Sequence, residues 1–144
     1  MIVPYHKFKG KDKIFLRPII STKLSLKTKS LQTWGLLDSG ADKTLINKQI
    51  GQQLDVEFNK CQTNNMIGIT GNPQPTWDTT IKLEVSGFPG FEFQADVCFI
   101  DSPNVGILLG HIGFFQFFDV KFQTLRQQFE IDLAVRPPSN FKIF

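Results

Sequence analysis

The sequence predicts an all-β fold, a closed or partly closed barrel of short strands with one or two short helices. Apolar and polar residues alternate over 79–85 and again over 91–100, and a period of two is typical of a strand with one buried face. The run 105–109 is apolar and stops at Gly110, which is typical of a strand buried on both faces. Turn residues recur about every ten positions, and this spacing favours a barrel.

Three further strands are predicted in the first third of the chain. Residues 17–20 suit a short strand, and 22–29 alternate leucine with lysine and serine, as a half-exposed strand does. Residues 34–37 predict an inner strand that leads into an acidic residue. This part of the chain therefore supplies a half-exposed strand and an inner strand.

A short helix and a bending hairpin are predicted next. An apolar residue recurs every four positions at Ile46, Ile50 and Leu54, which indicates a helix with one apolar stripe. Gly51 weakens this prediction, because glycine is a poor helix former. The segment 66–73 mixes apolar residues with glycines and stops at a proline, which predicts the tip of a hairpin that moves or bends.

The end of the chain predicts a helix and a hairpin. Residues 111–118 contain four phenylalanines and suit a second short helix, and apolar positions at 120–122 and 129–131 outline a final hairpin. The 144 residues suffice for one domain, placed at 15–133. A lysine-rich N-terminal arm, 1–14, precedes it, and a C-terminal tail, 134–144, with two prolines follows it.

Composition limits the partners and the compartment. The net charge of +3 is too weak to imply nucleic acid, and the lysines suit a solvated face. Cys61 and Cys98 show neither metal-ligand spacing nor a disulfide framework, and free thiols suit a reducing cytoplasm. No segment reaches the roughly 18 apolar residues of a membrane span, and the N-terminus lacks the apolar run of a signal peptide. We expect a cytoplasmic protein with no nucleic-acid or membrane partner.

The segment 36–42, Leu-Leu-Asp-Ser-Gly-Ala-Asp, is the most informative in the chain. Two leucines drive a strand inward, and Asp38 follows where the chain turns. A carboxylate at the end of a buried strand is costly unless something uses it, so Asp38 is a candidate functional residue. Ser39 and Gly40 complete the turn.

Three motifs in order carry a family resemblance. They are Asp-Ser-Gly at 38–40, the glycine-rich hairpin near 68, and Leu-Leu-Gly at 108–110, followed by two phenylalanines at 114–115. Their order and spacing over about 15–133 resemble the retropepsin-like, or retroviral-type, aspartic proteases, in particular the bacterial and archaeal branch. The resemblance implies an acid-protease β-barrel with its active site at a homodimer interface.

The resemblance implies that Asp38 is the catalytic carboxylate and that Ser39 and Gly40 shape its loop. Hydrolysis of an amide by water needs a general base and a general acid, and two carboxylates sharing a proton supply both. Each chain offers one such carboxylate, so a second copy must supply the other in an isologous dimer. The pair activates the water itself, so neither a metal nor an organic cofactor is expected.

The resemblance also implies a flap that closes over an extended peptide or protein substrate and binds it as an added strand. Its residues would be Met66, Ile67, Gly68, Ile69, Thr70 and Gly71.

The sequence departs from the family pattern after the third motif. Family members carry Arg there, paired with the acid four positions after the catalytic Asp; that acid is Asp42, but the Arg position is His111 and Ile112 follows. Asp42, Leu109, Gly110 and His111 are the expected structural or interface residues. Asp42 could instead cap the predicted helix, and His111 could be a backbone-bonded structural histidine or a pH-sensitive one.

Two other functions stay open at this point. One is a catalytically silent protease-fold dimer that binds peptides or partner proteins, which the substitution at His111 supports. The other is a small basic β-barrel that binds nucleic acid; such a protein would need a surface strand of interleaved aromatic and basic residues, and we expect none here.

Overall fold

The computed structural model describes residues 1–67 and 71–134. The hairpin tip at 68–70, which contains Gly68, Ile69 and Thr70, and the tail beyond Ala134 lie outside the described residues. Within the described residues no helix is long and apolar enough to cross a membrane.

Residues 1–67 and 71–134 form twelve strands and one α-helix. The strands are β1 (Ile2–Pro4), β2 (His6–Lys9), β3 (Ile14–Arg17), β4 (Ile19–Leu26), β5 (Lys29–Leu37), β6 (Thr44–Asn47), β7 (Gln62–Ile67), β8 (Pro73–Val85), β9 (Glu92–Ile100), β10 (Ile107–Leu109), β11 (Phe118–Gln123) and β12 (Gln128–Leu133). The helix α1 spans Lys48–Gln53, and 3₁₀ turns lie at Phe58–Lys60 and Thr124–Arg126. The all-β prediction is confirmed.

The main sheet closes on itself. Its strand order is β4-β5-β10-β6-β9-β8-β7, and β4 also pairs with β8, so six strands form a barrel with β7 attached outside. Alternate side chains point inward from each strand and fill the barrel with apolar residues. The fully buried ones include Leu24, Ile46, Leu83, Phe99 and Leu109.

The predicted strands 79–85 and 91–100 are confirmed as parts of β8 and β9. The inward-facing set of the second strand holds for Phe93, Ala95, Val97 and Phe99, which are buried. Phe91, expected on the same face, is 52% exposed because β9 begins only at Glu92.

The predicted helix exists but begins later than expected. Ile46 lies in β6, because the same spacing also fits a strand that turns into a helix. Asn47 caps α1 by accepting a hydrogen bond from the Gln49 amide at 2.9 Å, so the prediction of Asp42 as the helix cap is wrong. Gly51 belongs in the helix because a Cβ there would lie 2.7 to 2.8 Å from the rings of Phe58 and Phe99.

The second predicted helix, at 111–118, is wrong. The segment is a series of turns, in which the Phe115 amide donates to the Gly110 carbonyl at 3.0 Å. Gly113 has a φ of +95°, which no α-helical residue adopts. Its phenylalanines are core residues: Phe117 stacks on Phe93 with ring centres 4.5 Å apart.

The N-terminal segment is not an unpaired arm. β1 pairs with β12 in a second sheet of order β1-β12-β11, and β11 and β12 form the final hairpin predicted from the sequence. The Tyr5 amide donates to the Gln127 carbonyl at 2.8 Å. β2 and β3 then form a separate two-stranded ribbon.

Candidate active site

Asp38 lies in a loop that the fold threads over another strand. β5 runs into the loop 38–43 and returns as β6, while β10 lies between them, parallel to β5 and antiparallel to β6. The Asp38 amide donates to the Leu109 carbonyl at 3.0 Å. The loop must therefore pass over the end of β10, at Gly110.

Gly110 is required by this crossing. A Cβ at this position would lie 2.7 Å from the Ala41 oxygen and 2.6 Å from the Lys43 carbonyl carbon, both backbone atoms. Leu109, beside it, is fully buried. Leu109 and Gly110, two of the four residues predicted as structural or interface residues, thus support the loop that carries Asp38.

The Asp38 carboxylate is held in place by its own turn. The Gly40 amide donates to Oδ1 at 3.0 Å, and the Ala41 amide donates to the Asp38 carbonyl at 3.1 Å. Aspartate side chains commonly bond the backbone two residues on and so stabilise a tight turn. Asp38 is half-buried, whereas Ser39 and Gly40 are exposed at the surface of the chain.

Residues 110–112 line the loop along its length. The amides of His111 and Ile112 donate to the carbonyls of Ala41 and Asp42, both at 2.9 Å. The Thr44 amide in turn donates to the Ile112 carbonyl at 2.8 Å. These bonds join the loop that carries Asp38 to the third motif and fix the position of Asp38.

Thr44 was not predicted as a site residue. It is fully buried, and its hydroxyl accepts a hydrogen bond from the Gly110 amide at 3.1 Å. A hydroxyl residue directly before two apolar residues, two positions after the acidic Asp42, was the available signal.

His111 and Asp42 do not form the ion pair that the family pattern suggested. Among the described residues no ion pair joins them; the imidazole Nε2 instead lies 2.7 Å from the Ser39 carbonyl oxygen. A carbonyl only accepts, so Nε2 donates, and the ring also packs against Phe115 at 5.3 Å between centres. The backbone-bonded alternative for His111 thus agrees with the geometry, while the Asp42 side chain is exposed.

A cavity of about 390 Å³ separates the catalytic loop from the hairpin of β7 and β8. Residues 41–43 line it on one side and 64–67 on the other. Met66 and Ile67, predicted flap residues, therefore face the loop that carries Asp38. Gly71 has a φ of +74° and open space around its Cα.

A polar cluster lies beside this cavity. Asp78 accepts a hydrogen bond from the Cys98 thiol at 2.8 Å and one from the Asn64 amide, and the Lys43 ammonium is 3.8 Å away. Burial raises the pKa of the Cys98 thiol to about 12, and the hydrogen bond and negative charge of Asp78 add to the effect. Local sequence could not reveal the cluster because its members come from different strands.

No group of three or more His, Cys, Asp or Glu side chains in the described part of the chain is placed to hold a metal ion. Cys61 and Cys98 are both free thiols, and Cys98 is buried, as expected of a core residue.

A closed barrel with Asp-Ser-Gly in a loop threaded over a buried strand defines a protein of the retropepsin-like aspartic protease class. The family model described as retroviral aspartyl protease matches residues 16–111, two thirds of the chain. The chain belongs to the retroviral aspartyl protease family.

The fold is similar to a solved bacterial structure. It matches the crystal structure of a retropepsin-like aspartic protease from Rickettsia conorii with a TM-score of 0.62 and 15% sequence identity. The match covers 91% of this chain and 96% of the other. No curated protein sequence matches the chain.

Proposed function

We propose that this protein is an aspartic endopeptidase whose active site forms when two copies bring their Asp38 carboxylates together. The observation that carries the proposal is the position of Asp38. It follows the end of β5, where Gly35 and Leu37 are buried. Its Oδ1 is oriented by the Gly40 amide at 3.0 Å, and its loop borders the cavity beside the hairpin of β7 and β8.

The surroundings of Gly40 support the approach of a second loop. Apart from its two chain neighbours, a Cβ at Gly40 would have one heavy atom of the described residues within 4 Å, Asp38 Oδ1 at 3.3 Å. Packing within the chain does not explain a glycine here. The missing side chain leaves room outside the chain's own surface, where the loop of a second copy would lie.

The chemistry follows from two carboxylates that share one proton. The ionised carboxylate removes a proton from water while the water oxygen bonds to the peptide carbonyl carbon. The protonated carboxyl gives its proton to the carbonyl oxygen. When the tetrahedral intermediate collapses, the carboxyl that took the proton from water gives it to the nitrogen, and the C–N bond breaks. The other carboxylate takes the proton of one hydroxyl, which becomes the new carbonyl oxygen, and the pair again shares one proton. These steps need general acid and base groups in fixed positions, and the hydrogen-bonded loop supplies them.

The substrate would be an extended peptide in the cavity between loop and flap. The exposed backbone edge of β7 can pair with an added strand. Met66 and Ile67 would contact apolar side chains that flank the cleaved bond.

The test is a digest of a peptide library across pH with purified protein. Asp38→Asn should abolish cleavage, because one substitution removes both carboxylates of the dimer while the side-chain volume is kept. Asp119→Asn, an exposed carboxylate on β11, is the matched control and should cleave as wild type does. Cleavage by Asp38→Asn at the wild-type rate would remove Asp38 from the mechanism. Saturable peptide binding without cleavage by wild type would favour the silent peptide-binding dimer.

A further inference from the structure

The ribbon of β2 and β3 has no other strand beside it in the described part of the chain. Its register pairs Phe8 with Phe15 and His6 with Arg17. Nearly all its side chains are exposed. A two-stranded hairpin alone in water is marginally stable, so an ordered ribbon of this kind needs a surface to pack against.

One face of the ribbon carries aromatic rings, and we call it the ring face. It consists of His6, Phe8, Phe15 and Arg17, with Trp34 of β5 beside it; the His6 ring lies 5.5 Å from both Phe8 and Trp34. Phe8, Phe15 and Trp34 are 41%, 46% and 58% exposed. Clustered exposed rings of this kind mark an interaction surface.

The base of the ribbon lies next to the catalytic loop. β3 ends at Arg17, and the following residue, Pro18, accepts a hydrogen bond at its carbonyl from the Leu37 amide at 2.9 Å. Leu37 directly precedes Asp38. A second copy that meets this chain at the Asp38 loop must therefore come close to the ribbon.

Charge favours the body of a second copy as the occupant. Residues 6–17 contain five cationic residues and one acidic residue, a net charge of +4, while the whole chain carries +3. The remainder of the chain therefore carries −1. Two ribbons would repel each other, but a ribbon and the body of another copy would not.

Nucleic acid fits the ribbon less well, although β2 does interleave aromatic and basic residues. Lys7 and Lys9 point to the face opposite the rings, because side chains alternate along a strand. The cation on the ring face, Arg17, already lies over the Phe8 ring at 6.0 Å. A single nucleic-acid strand could not use the rings and the lysines at once.

We propose that the ring face of each ribbon packs on the body of a second copy of this chain and holds the dimer together. This inference rests on the proposed function, since it requires two copies to meet at Asp38. All but the last two residues of the ribbon precede residue 16, where the family match begins. This contact would therefore lie mostly outside the segment that the family shares.

The test compares dimer dissociation constants by sedimentation equilibrium, in an Asp38→Asn background that prevents self-cleavage. Phe8→Ser combined with Phe15→Ser should raise the constant by about tenfold or more, as loss of buried aromatic contacts does. Phe91→Ser, 52% exposed and at the end of β9 away from the flap hairpin, is the control and should leave it unchanged. Circular dichroism confirms folding of each variant.

An unchanged constant in the Phe8, Phe15 variant would overturn the inference, and so would a wild-type chain that stays monomeric. Ribbon-dependent binding of a fluorescent single-stranded oligonucleotide, with dimerisation unaffected, would overturn it in favour of nucleic acid.

Restoring Asp38 separates this inference from the proposed function. At protein concentrations above its own dimer dissociation constant, the variant with both Phe8→Ser and Phe15→Ser should regain the wild-type kcat per dimer. If the dimer constants behave as predicted but wild type cleaves no peptide, the proposed function fails and the ribbon contact stands.

Discussion

The catalytic loop and the flap hairpin face each other across one cavity, but they are held very differently. Backbone hydrogen bonds, some donated and some accepted, join the segment 38–44 to residues 109–112 along its length. β7, in contrast, is the edge strand of its sheet; among the described residues it pairs with β8 alone and is mostly exposed. The carboxylate proposed to react is therefore fixed from several sides, whereas the hairpin proposed to admit a peptide is paired, in the described part of the chain, on one side.

Gly110→Ala should disrupt the packing of the Asp38 loop over β10, and we expect it to have the largest effect on stability. The added Cβ would meet the backbone of Ala41 and Lys43 at 2.6 to 2.7 Å, and backbone cannot move aside as a flexible side chain can. We expect a loss of about 3 kcal/mol or more in the free energy of unfolding. Gly106→Ala is the control in the same segment, since its Cβ meets nothing within 4 Å. Equal midpoints of urea unfolding for the two variants would contradict the close passage of the Asp38 loop over Gly110.

Thr44→Val should weaken the same region by a smaller amount. The variant keeps the side-chain shape but removes the acceptor of the buried Gly110 amide, which costs about 1 to 3 kcal/mol. Thr22 is equally buried, and its hydroxyl has no hydrogen-bond partner among the described residues. Thr22→Val should therefore be neutral or stabilising. Denaturant unfolding of both variants measures the difference; similar losses in both would show that the Gly110 bond contributes little.

Gly71→Ala tests the hairpin of β7 and β8. Gly71 and Gly90 have φ values of +74° and +83°, and both have open space around them. Alanine at either position should cost about 1 to 2 kcal/mol of backbone strain. Of the two, Gly71 is a predicted flap residue and Gly90 is not, so only Gly71→Ala should lower turnover beyond its effect on stability. Peptide cleavage assays on the two variants check this, and equal turnover would indicate a static hairpin.

The smallest effect concerns the thiol beside the cavity. Because the pKa of Cys98 is raised to about 12, almost none of it is thiolate at pH 8, and iodoacetamide should modify Cys61 well before Cys98. The folded pKa exceeds the unfolded value near 8.5. The stability that Cys98 contributes is therefore complete below that value and is lost as pH rises towards 12. Peptide mass spectrometry against time measures both thiols, and faster modification of Cys98 would contradict the buried position.

The sequence predicted best what depends on nearby residues. The alternation in β8 and β9 and the apolar run of β10 are local patterns, and the Asp-Ser-Gly motif at 38–40 is contiguous in the chain. The helix predicted at 111–118 from its four phenylalanines is wrong, because Gly113 has a positive φ that an α-helix does not allow.

Long-range pairings could not be predicted. β1 pairs with β12, more than 120 residues away. The local sequence predicts an arm there because it contains no sign of this distant partner. The bond of His111 to the Ser39 carbonyl depends on how the loop crosses β10. The cluster of Lys43, Asp78 and Cys98 likewise exists only after three separate segments fold together.

The central claim is that one active site needs Asp38 from two chains, and subunit mixing tests it most directly. Wild type is mixed with increasing Asp38→Asn at constant total protein, and the dimers are allowed to re-equilibrate before peptide cleavage is measured. Total activity should fall as the square of the wild-type fraction, because mixed dimers hold one carboxylate. Mixing with Asp119→Asn should leave activity constant. If activity per wild-type chain stays unchanged as Asp38→Asn is added, each chain works alone and the shared site is wrong.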